Sequence, residues 1–287
     1  MTTKKTTSPK KLPRPKIINV EGLNILYYDQ GKGETILLLH GWPQTAYTWR
    51  FIFPELTKRY RVIAPDLPGT GGSDSANGYD TRSVAGLFAR FLNALDTGPV
   101  HFVGHDIGAW IATSFALYHE SQLKSLTVID AGIPGFMPES VFFPQNAAKV
   151  WQFYFHAIEG MPELLTRGKE KDYLGWYFTT KSFVKNAISE SDRKIYVKGF
   201  LKKKGFEYYR AFVESAELNM AAEKKIEVPA LAIGAQYAIG DGIGIAMAKI
   251  TDYLTAVNIP DCGHYVPEEQ PFELLNLLTD HFKRVTG

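Results

Sequence analysis

Asp106 stands at the centre of Gly104-His105-Asp106-Ile107-Gly108, where a short apolar run beginning at Val100 gives way to a helical pattern over Ile111–Tyr118. A strand, a sharp glycine-flanked turn and a helix in that order hold one reactive side chain clear of a sheet. The glycines let the three segments approach without side-chain clash. A carboxylate attacks esters and amides poorly, because its weakly basic oxygen is expelled before an alkoxide leaves. It suits displacement at a saturated carbon, which leaves an alkyl-enzyme ester. The competing reading is a structural aspartate that caps the following helix and favours its dipole.

Breaking such an ester takes a base that activates water. His264, in Asp261-Cys262-Gly263-His264, follows the last strand pattern and precedes the final helix. His101, His119 and His281 have no motif around them, and His105 reads as a packing and hydrogen-bonding residue. The base in turn requires an acid to hold its tautomer and stabilise its charged form. Two positions are open: Asp130, at the end of the strand pattern Ser125–Ile129, and Asp241, in the glycine-rich Gly240-Asp241-Gly242. Charge developing on the Asp106 carbonyl oxygen must meet backbone donors. The turn geometry points to the N–H of Ile107 and that of Trp42, in His40-Gly41-Trp42-Pro43.

Positioning these groups needs a sheet, and the apolar patterning provides one. Lys16–Val20, Leu23–Tyr28, Thr35–Leu39 and Arg61–Ala64 read as strands, with helical spacing over Thr45–Tyr60 and Thr81–Leu95. Alternation resumes at Ala230–Ile233, with a helix near Ile245–Leu254, a strand at Ala256–Ile259 and a last helix over Pro271–Val285. This predicts an α/β fold with a mostly parallel, doubly wound sheet. Between the two halves the strand-like runs vanish and aromatic residues crowd in, among them Trp151, Phe153, Trp176, Tyr177 and Tyr209. The predicted division is a flexible tail at 1–15, a core at 16–131 and 225–287, and a helical cap at 132–224 over the sheet's carboxyl edge.

Composition narrows the partners. The formal charge of the 287 residues is +2, too near neutral to suggest nucleic acid or membrane. No apolar run approaches the ~20 residues that span a bilayer, and the single cysteine, Cys262, excludes an intramolecular disulfide framework. The basic, proline-containing N-terminus has no apolar h-region, which favours a flexible tail and the cytoplasm. The expected partner is a small-molecule substrate, handled without metal or cofactor, with a homodimer left open.

Three motifs in sequence, His40-Gly41-Trp42-Pro43, the Asp106 elbow and Asp261-Cys262-Gly263-His264, resemble the α/β-hydrolase superfamily. The chain is similar to the epoxide hydrolase and dehalogenase branch, which carries Asp in place of Ser. The likeness is closest to bacterial Cif-type epoxide hydrolases, through His105-Asp106-Ile107-Gly108, Glu207-Tyr208-Tyr209-Arg210-Ala211 and Cys262-Gly263-His264-Tyr265-Val266-Pro267-Glu268-Glu269. It implies an α/β-hydrolase fold with a helical cap, Asp106 as nucleophile, His264 as base and Asp130 rather than Asp241 as its acid. It also implies that the Tyr209 hydroxyl donates to the oxygen departing from an opening epoxide. The relatives' second donor, a Tyr or His, falls on Val150-Trp151-Gln152-Phe153-Tyr154, where Gln152 stands. An amide donates a hydrogen bond but is no proton source. Tyr154 or His156 would substitute only with a different helix register. His40, Trp151, Gln152, Phe153 and Tyr154 are expected to line the substrate pocket.

The neighbours of Asp106 weigh the substrates. Many haloalkane dehalogenases follow the nucleophile with Trp, where this chain has Ile107. Fluoroacetate dehalogenases place arginines at the positions of Ile107 and Trp110. Both changes remove a polar or charged handle and favour a neutral epoxide, hydrolysed to a vicinal diol. The alternatives are dehalogenation by the same nucleophile, or a weakly catalytic ligand-binding protein, which only Gln152 favours.

Overall fold

The computed structural model describes residues 12–287, so Met1–Lys11 of the expected tail lie outside the described residues. Leu12, placed by the sequence within that tail, packs instead against the core. Eight strands form one sheet: β1 (Lys16–Val20), β2 (Leu23–Gln30), β3 (Thr35–Leu39), β4 (Arg61–Pro65), β5 (Val100–His105), β6 (Leu123–Ile129), β7 (Ala230–Ala235) and β8 (Leu254–Ile259). Their order is β1-β2-β4-β3-β5-β6-β7-β8. The pairs β1/β2 and β2/β4 are antiparallel and all others are parallel.

Period-two alternation divides the apolar side chains between the two faces. Within β3, Leu37 and Leu39 join the cluster beneath the helices Thr81–Ala94 and Ile107–His119, with Phe88, Phe102 and Phe115. Ile36 and Leu38 face the opposite cluster, with Trp49, Phe53 and Phe282 from the last helix, Pro271–Thr286. The helix Thr81–Ala94 starts where Asp80 Oδ1 accepts the Ser83 N–H at 2.8 Å, an N-cap that satisfies one otherwise orphan donor.

Two elements differ from the sequence reading. Thr45–Tyr60 is not one helix but a 3-10 stretch, Ala46–Phe51, followed by a short helix, Phe53–Leu56. Pro54 lacks the N–H that a continuous helix would need there, so it fits only a new first turn. The helix expected near Ile245–Leu254 lies earlier, at Gly242–Met247, and Leu254 already belongs to β8.

Between β6 and β7 the chain contains helices and irregular segments but no strand, including the helices Ala147–Ala157, Glu170–Lys181 and Glu190–Lys202. A buried ionic network ties this cap to the core. The Arg50 guanidinium meets Glu268 at 2.8 and 2.6 Å and reaches Asp192 of the cap at 3.1 Å. Tyr196 of the cap donates to Glu268, Gln44 does so at 3.2 Å, and Tyr47 donates to Asp192 at 2.9 Å. Burial pushes the Glu268 carboxyl up in spite of Arg50, so removing the cation leaves an acid in an apolar setting. Breaking such a pair costs about 3–5 kcal/mol. Arg50→Met is therefore expected to lower unfolding free energy by about that amount in a urea titration. A change within about 0.5 kcal/mol, as at a surface site, would remove the network from any role in stability.

Candidate active site

β5 ends on His105, and the backbone turns through Asp106 at φ 53°, ψ −120° before the helix Ile107–His119 begins. A non-glycine residue at positive φ stores about 1–3 kcal/mol that the surroundings must offset. Close packing makes the turn feasible: a Cβ at Gly104 would lie 2.2 Å from the Gly108 carbonyl oxygen. Asp106 makes no side-chain N-cap bond to the helix, so capping does not account for this residue. Its carboxylate turns instead towards Trp42 and His264.

The loop after β3 supplies the other side of the turn. A Cβ at Gly41 would fall 2.4 Å from Asp106 Oδ1, so only glycine leaves room for the carboxylate. Trp42 N–H donates to that oxygen at 2.8 Å, and Ile107 N–H is a further donor to the same carboxylate. Asp106 Oδ2 faces His264 Nε2 at 3.4 Å. His264 Nδ1 in turn meets Asp130 Oδ2 at 2.7 Å, while Asp130 Oδ1 accepts the N–H of Ala235 at 2.9 Å and of Ile239 at 3.2 Å. Asp241 lies outside this chain of contacts and accepts from Asn258 Nδ2 at 3.3 Å. The structure thus brings Asp106, His264 and Asp130 together and leaves Asp241 apart. Side-chain exposures of 15% at Asp106 and 17% at His264, against 1% at Asp130, leave the first two within reach of a small molecule.

Two negative groups flanking one imidazole set the local electrostatics. Burial alone would push His264 down, but hydrogen bonds to Asp106 and Asp130 and their charges hold it at about 9. Burial would push Asp106 up, yet the imidazole and the Ile107 N–H keep it below the usual carboxylate range. His105 is neutral, pushed down to about 4 by burial, and its Nε2 donates to the His264 carbonyl at 2.8 Å. Two contacts hold the His264 main chain from the cap and from the following helix. Its N–H donates to Lys181 O at 2.8 Å, and Glu269 accepts the N–H groups of Gly263, Tyr265, Phe183 and Val184.

Tyr209 comes from the short cap helix Glu207–Arg210 and packs on Trp42 at 5.9 Å, Trp110 at 5.8 Å and Phe153 at 5.6 Å. Burial, then the Asp106 charge, pushes its phenol well above the ordinary range, so it stays protonated. Gln152 Oε1 is buried with no partner. Trp151 packs on Trp176 and Tyr177, and Phe153 packs on Trp110.

Two pocket expectations are corrected. The ring of His40 is fully buried, with Nδ1 donating to Gly41 O at 3.0 Å and Nε2 accepting the Leu67 N–H at 3.0 Å. One nitrogen braces the loop after β3 and the other the turn after β4, so none remains for a ligand. Tyr154 is drawn outwards to Phe142, whose carbonyl accepts its hydroxyl at 3.2 Å, and remains 56% exposed. His156, not Tyr154, enters the interior. It packs on Trp42 and Tyr209, with Nε2 bonded to the Tyr173 hydroxyl at 2.6 Å. Tyr173 and Tyr177 were not singled out by any motif. Their only sequence signal is a four-residue spacing on one helix, which places both on the same face.

The chain matches the family described as alpha/beta hydrolase fold over residues 34–271. It is 32% identical over 265 residues to the soluble epoxide hydrolase of Corynebacterium sp. (strain C12), covering 88% of this chain and 91% of that one. The chain belongs to the α/β-hydrolase family, on its epoxide hydrolase branch. The crystal structure of Cfl2 from Burkholderia cenocepacia is 36% identical, with a TM-score of 0.89 over 93% of this chain and 95% of that one. A fluoroacetate dehalogenase from Burkholderia sp is 32% identical over a shorter span, 151 residues, covering 49% of this chain and 48% of that one. Among the described residues of this hydrolase, no helix is long and apolar enough to cross a membrane.

The charge arrangement has a direct readout. A ¹⁵N NMR titration of His264 is expected to give a midpoint near 9. Asp106→Asn should lower that midpoint, because a negative neighbour that favours the imidazolium is lost. An unchanged midpoint would show that the two side chains do not interact in solution.

Proposed function

We propose that the protein hydrolyses a neutral epoxide to a vicinal diol through a covalent ester on Asp106. The observation that carries this reading is the inequality of the two carboxylate oxygens. Oδ1 is held by the Trp42 N–H at 2.8 Å, whereas Oδ2 faces His264 Nε2 at the longer 3.4 Å. Oδ2 is therefore the attacking atom. It bonds to an epoxide carbon as the ring C–O bond breaks, and the departing oxygen takes the Tyr209 proton.

The ester carbonyl is then Oδ1, already beside its donors. Esterification cancels the Asp106 charge, one of the two supports of the imidazolium, so His264 releases its proton more readily. That proton balances the one the Tyr209 phenolate recovers through solvent. Neutral His264, oriented by Asp130, takes a proton from water as its oxygen adds to the ester carbon. Charge on Oδ1 is met by the N–H groups of Trp42 and Ile107, donors of a kind worth roughly 10²–10³-fold each. Collapse expels the diol oxygen, which takes the proton from His264. The new carboxyl of Asp106 then returns its proton to the imidazole.

Ile107 and Trp110 are buried apolar neighbours of the nucleophile, which supports a substrate without a carboxylate. Haloacetate hydrolysis is the second reading, favoured by the identity to fluoroacetate dehalogenase. Intact-protein mass spectrometry with styrene oxide, 1-bromobutane and fluoroacetate separates the readings. His264→Gln should gain the mass of one epoxide, with turnover slowed about 10²–10⁴-fold, and Asp106→Ser should gain none and lose turnover. Fluoride release from fluoroacetate with no diol from any epoxide would replace the first reading by the second. A covalent adduct would exclude a binding protein without chemistry.

A further inference from the structure

Gln152 leaves epoxide opening with one proton-bearing donor, Tyr209, and the structure holds a second tyrosine placed to join it. We propose that Tyr177, on the cap helix Glu170–Lys181, donates the second hydrogen bond to the oxygen of the opening epoxide. The proposal rests on the epoxide reading above.

Tyr177 is 2% exposed, and its hydroxyl makes no hydrogen bond of good geometry, with Tyr173 as a polar neighbour. Leaving a buried hydroxyl without a well-formed bond costs about 1–3 kcal/mol, so the group calls for an explanation. Tyr173, the nearby hydroxyl on the same helix face, is engaged by His156 Nε2 at 2.6 Å and interacts with Tyr177 without a well-formed hydrogen bond between them.

Position supports the same conclusion. The Tyr177 ring stands edge-on to the Trp42 indole, with centroids 4.8 Å apart, and Tyr209 stands edge-on to the same indole at 5.9 Å. The main chain of Trp42 holds Asp106 Oδ1 at 2.8 Å. Two tyrosines from different cap helices therefore flank one indole whose backbone is bonded to the nucleophile. Tyr177 also packs on Trp151 at 5.5 Å, the residue before Gln152. A donor from this helix thus serves the region that a donor at position 152 would have served.

Burial, with Tyr173, Tyr209 and Tyr265 as neighbours, pushes the Tyr177 phenol far above its ordinary range. It therefore remains a donor at any working pH. As the bond from Asp106 Oδ2 to the epoxide carbon forms, the electron pair of the broken C–O bond passes to the ring oxygen. Tyr209 gives that oxygen a proton, and Tyr177 gives a hydrogen bond and keeps its own proton. The Gln152 amide is the competing donor.

The test follows ester formation from styrene oxide by rapid-quench mass spectrometry in the His264→Gln protein, with Tyr177→Phe, Gln152→Leu or Tyr209→Phe added. Tyr177→Phe is expected to slow ester formation by about 10²-fold, the loss of one such donor. Its thermal midpoint should change little, since no well-formed hydrogen bond is lost. Tyr177→Phe combined with Tyr209→Phe should be slower than either alone. Ester formation at the parent rate in Tyr177→Phe overturns the proposal. So does a full loss in Gln152→Leu with none in Tyr177→Phe. If the parent takes up no epoxide but is alkylated by fluoroacetate, the epoxide reading itself has failed, which is a separate result.

Discussion

The hydrogen bond from Trp42 N–H to Asp106 Oδ1, at 2.8 Å, ties two loops of the core together beneath the cap. Its donor is main chain in the loop after β3, and its acceptor stands at the strained turn after β5. The same residue sends its indole upward, where His156, Tyr177, Phe206 and Tyr209 pack around it and Nε1 donates to Lys204 O at 2.9 Å. A displacement of the cap therefore reaches the nucleophile through one residue. Precision of this kind matters because a reacting group displaced by about 1 Å can lose roughly 10²-fold in rate.

Charge balance is the second constraint. Two aspartates share one imidazole, and each holds a different nitrogen, Oδ2 of Asp130 at 2.7 Å and Oδ2 of Asp106 at 3.4 Å. The shorter contact belongs to the acid that is almost wholly buried and further tied by two backbone N–H groups. It fixes the ring. The longer contact belongs to the group with room to change its bonding, so alteration of Asp106 charge alters the proton affinity of His264 without loosening its orientation. A basic side chain can thereby serve as an ion-pair partner in one state and a base in the next.

Adjacent residues after the histidine connect these events to the cap. Glu268 meets Arg50 and receives Tyr196, and Glu269 gathers main-chain N–H groups from both sides of His264 and from Phe183 and Val184. Neither contact is visible as spacing. Glu268-Glu269 reads as an acidic pair at a helix start, ordinarily a solvated feature. Burial at 4% and 7% reverses that reading, because a buried carboxylate must be paired or hydrogen-bonded.

Much of the architecture was legible in the chain because burial imposes period on it. β3 is apolar at four of its five positions and buried on both faces, and Thr81–Ala94 carries its own cap in Asp80 and Ser83. Glycines at 104 and 108 announced the tight approach of strand, turn and helix, since no other side chain fits. Residue type alone identified a carboxylate at an elbow and a histidine before the last helix. What spacing could not decide was direction. Asp130 and Asp241 were both open by spacing, with the resemblance favouring Asp130, and the folded sheet brings Asp130 to the imidazole. His40, Tyr154 and His156 were likewise settled by which way each ring turns. Local chemistry follows from covalent identity and neighbouring residues. Proximity between residues over 100 positions apart, and the burial that shifts their proton affinities, exist only once the tertiary structure has formed.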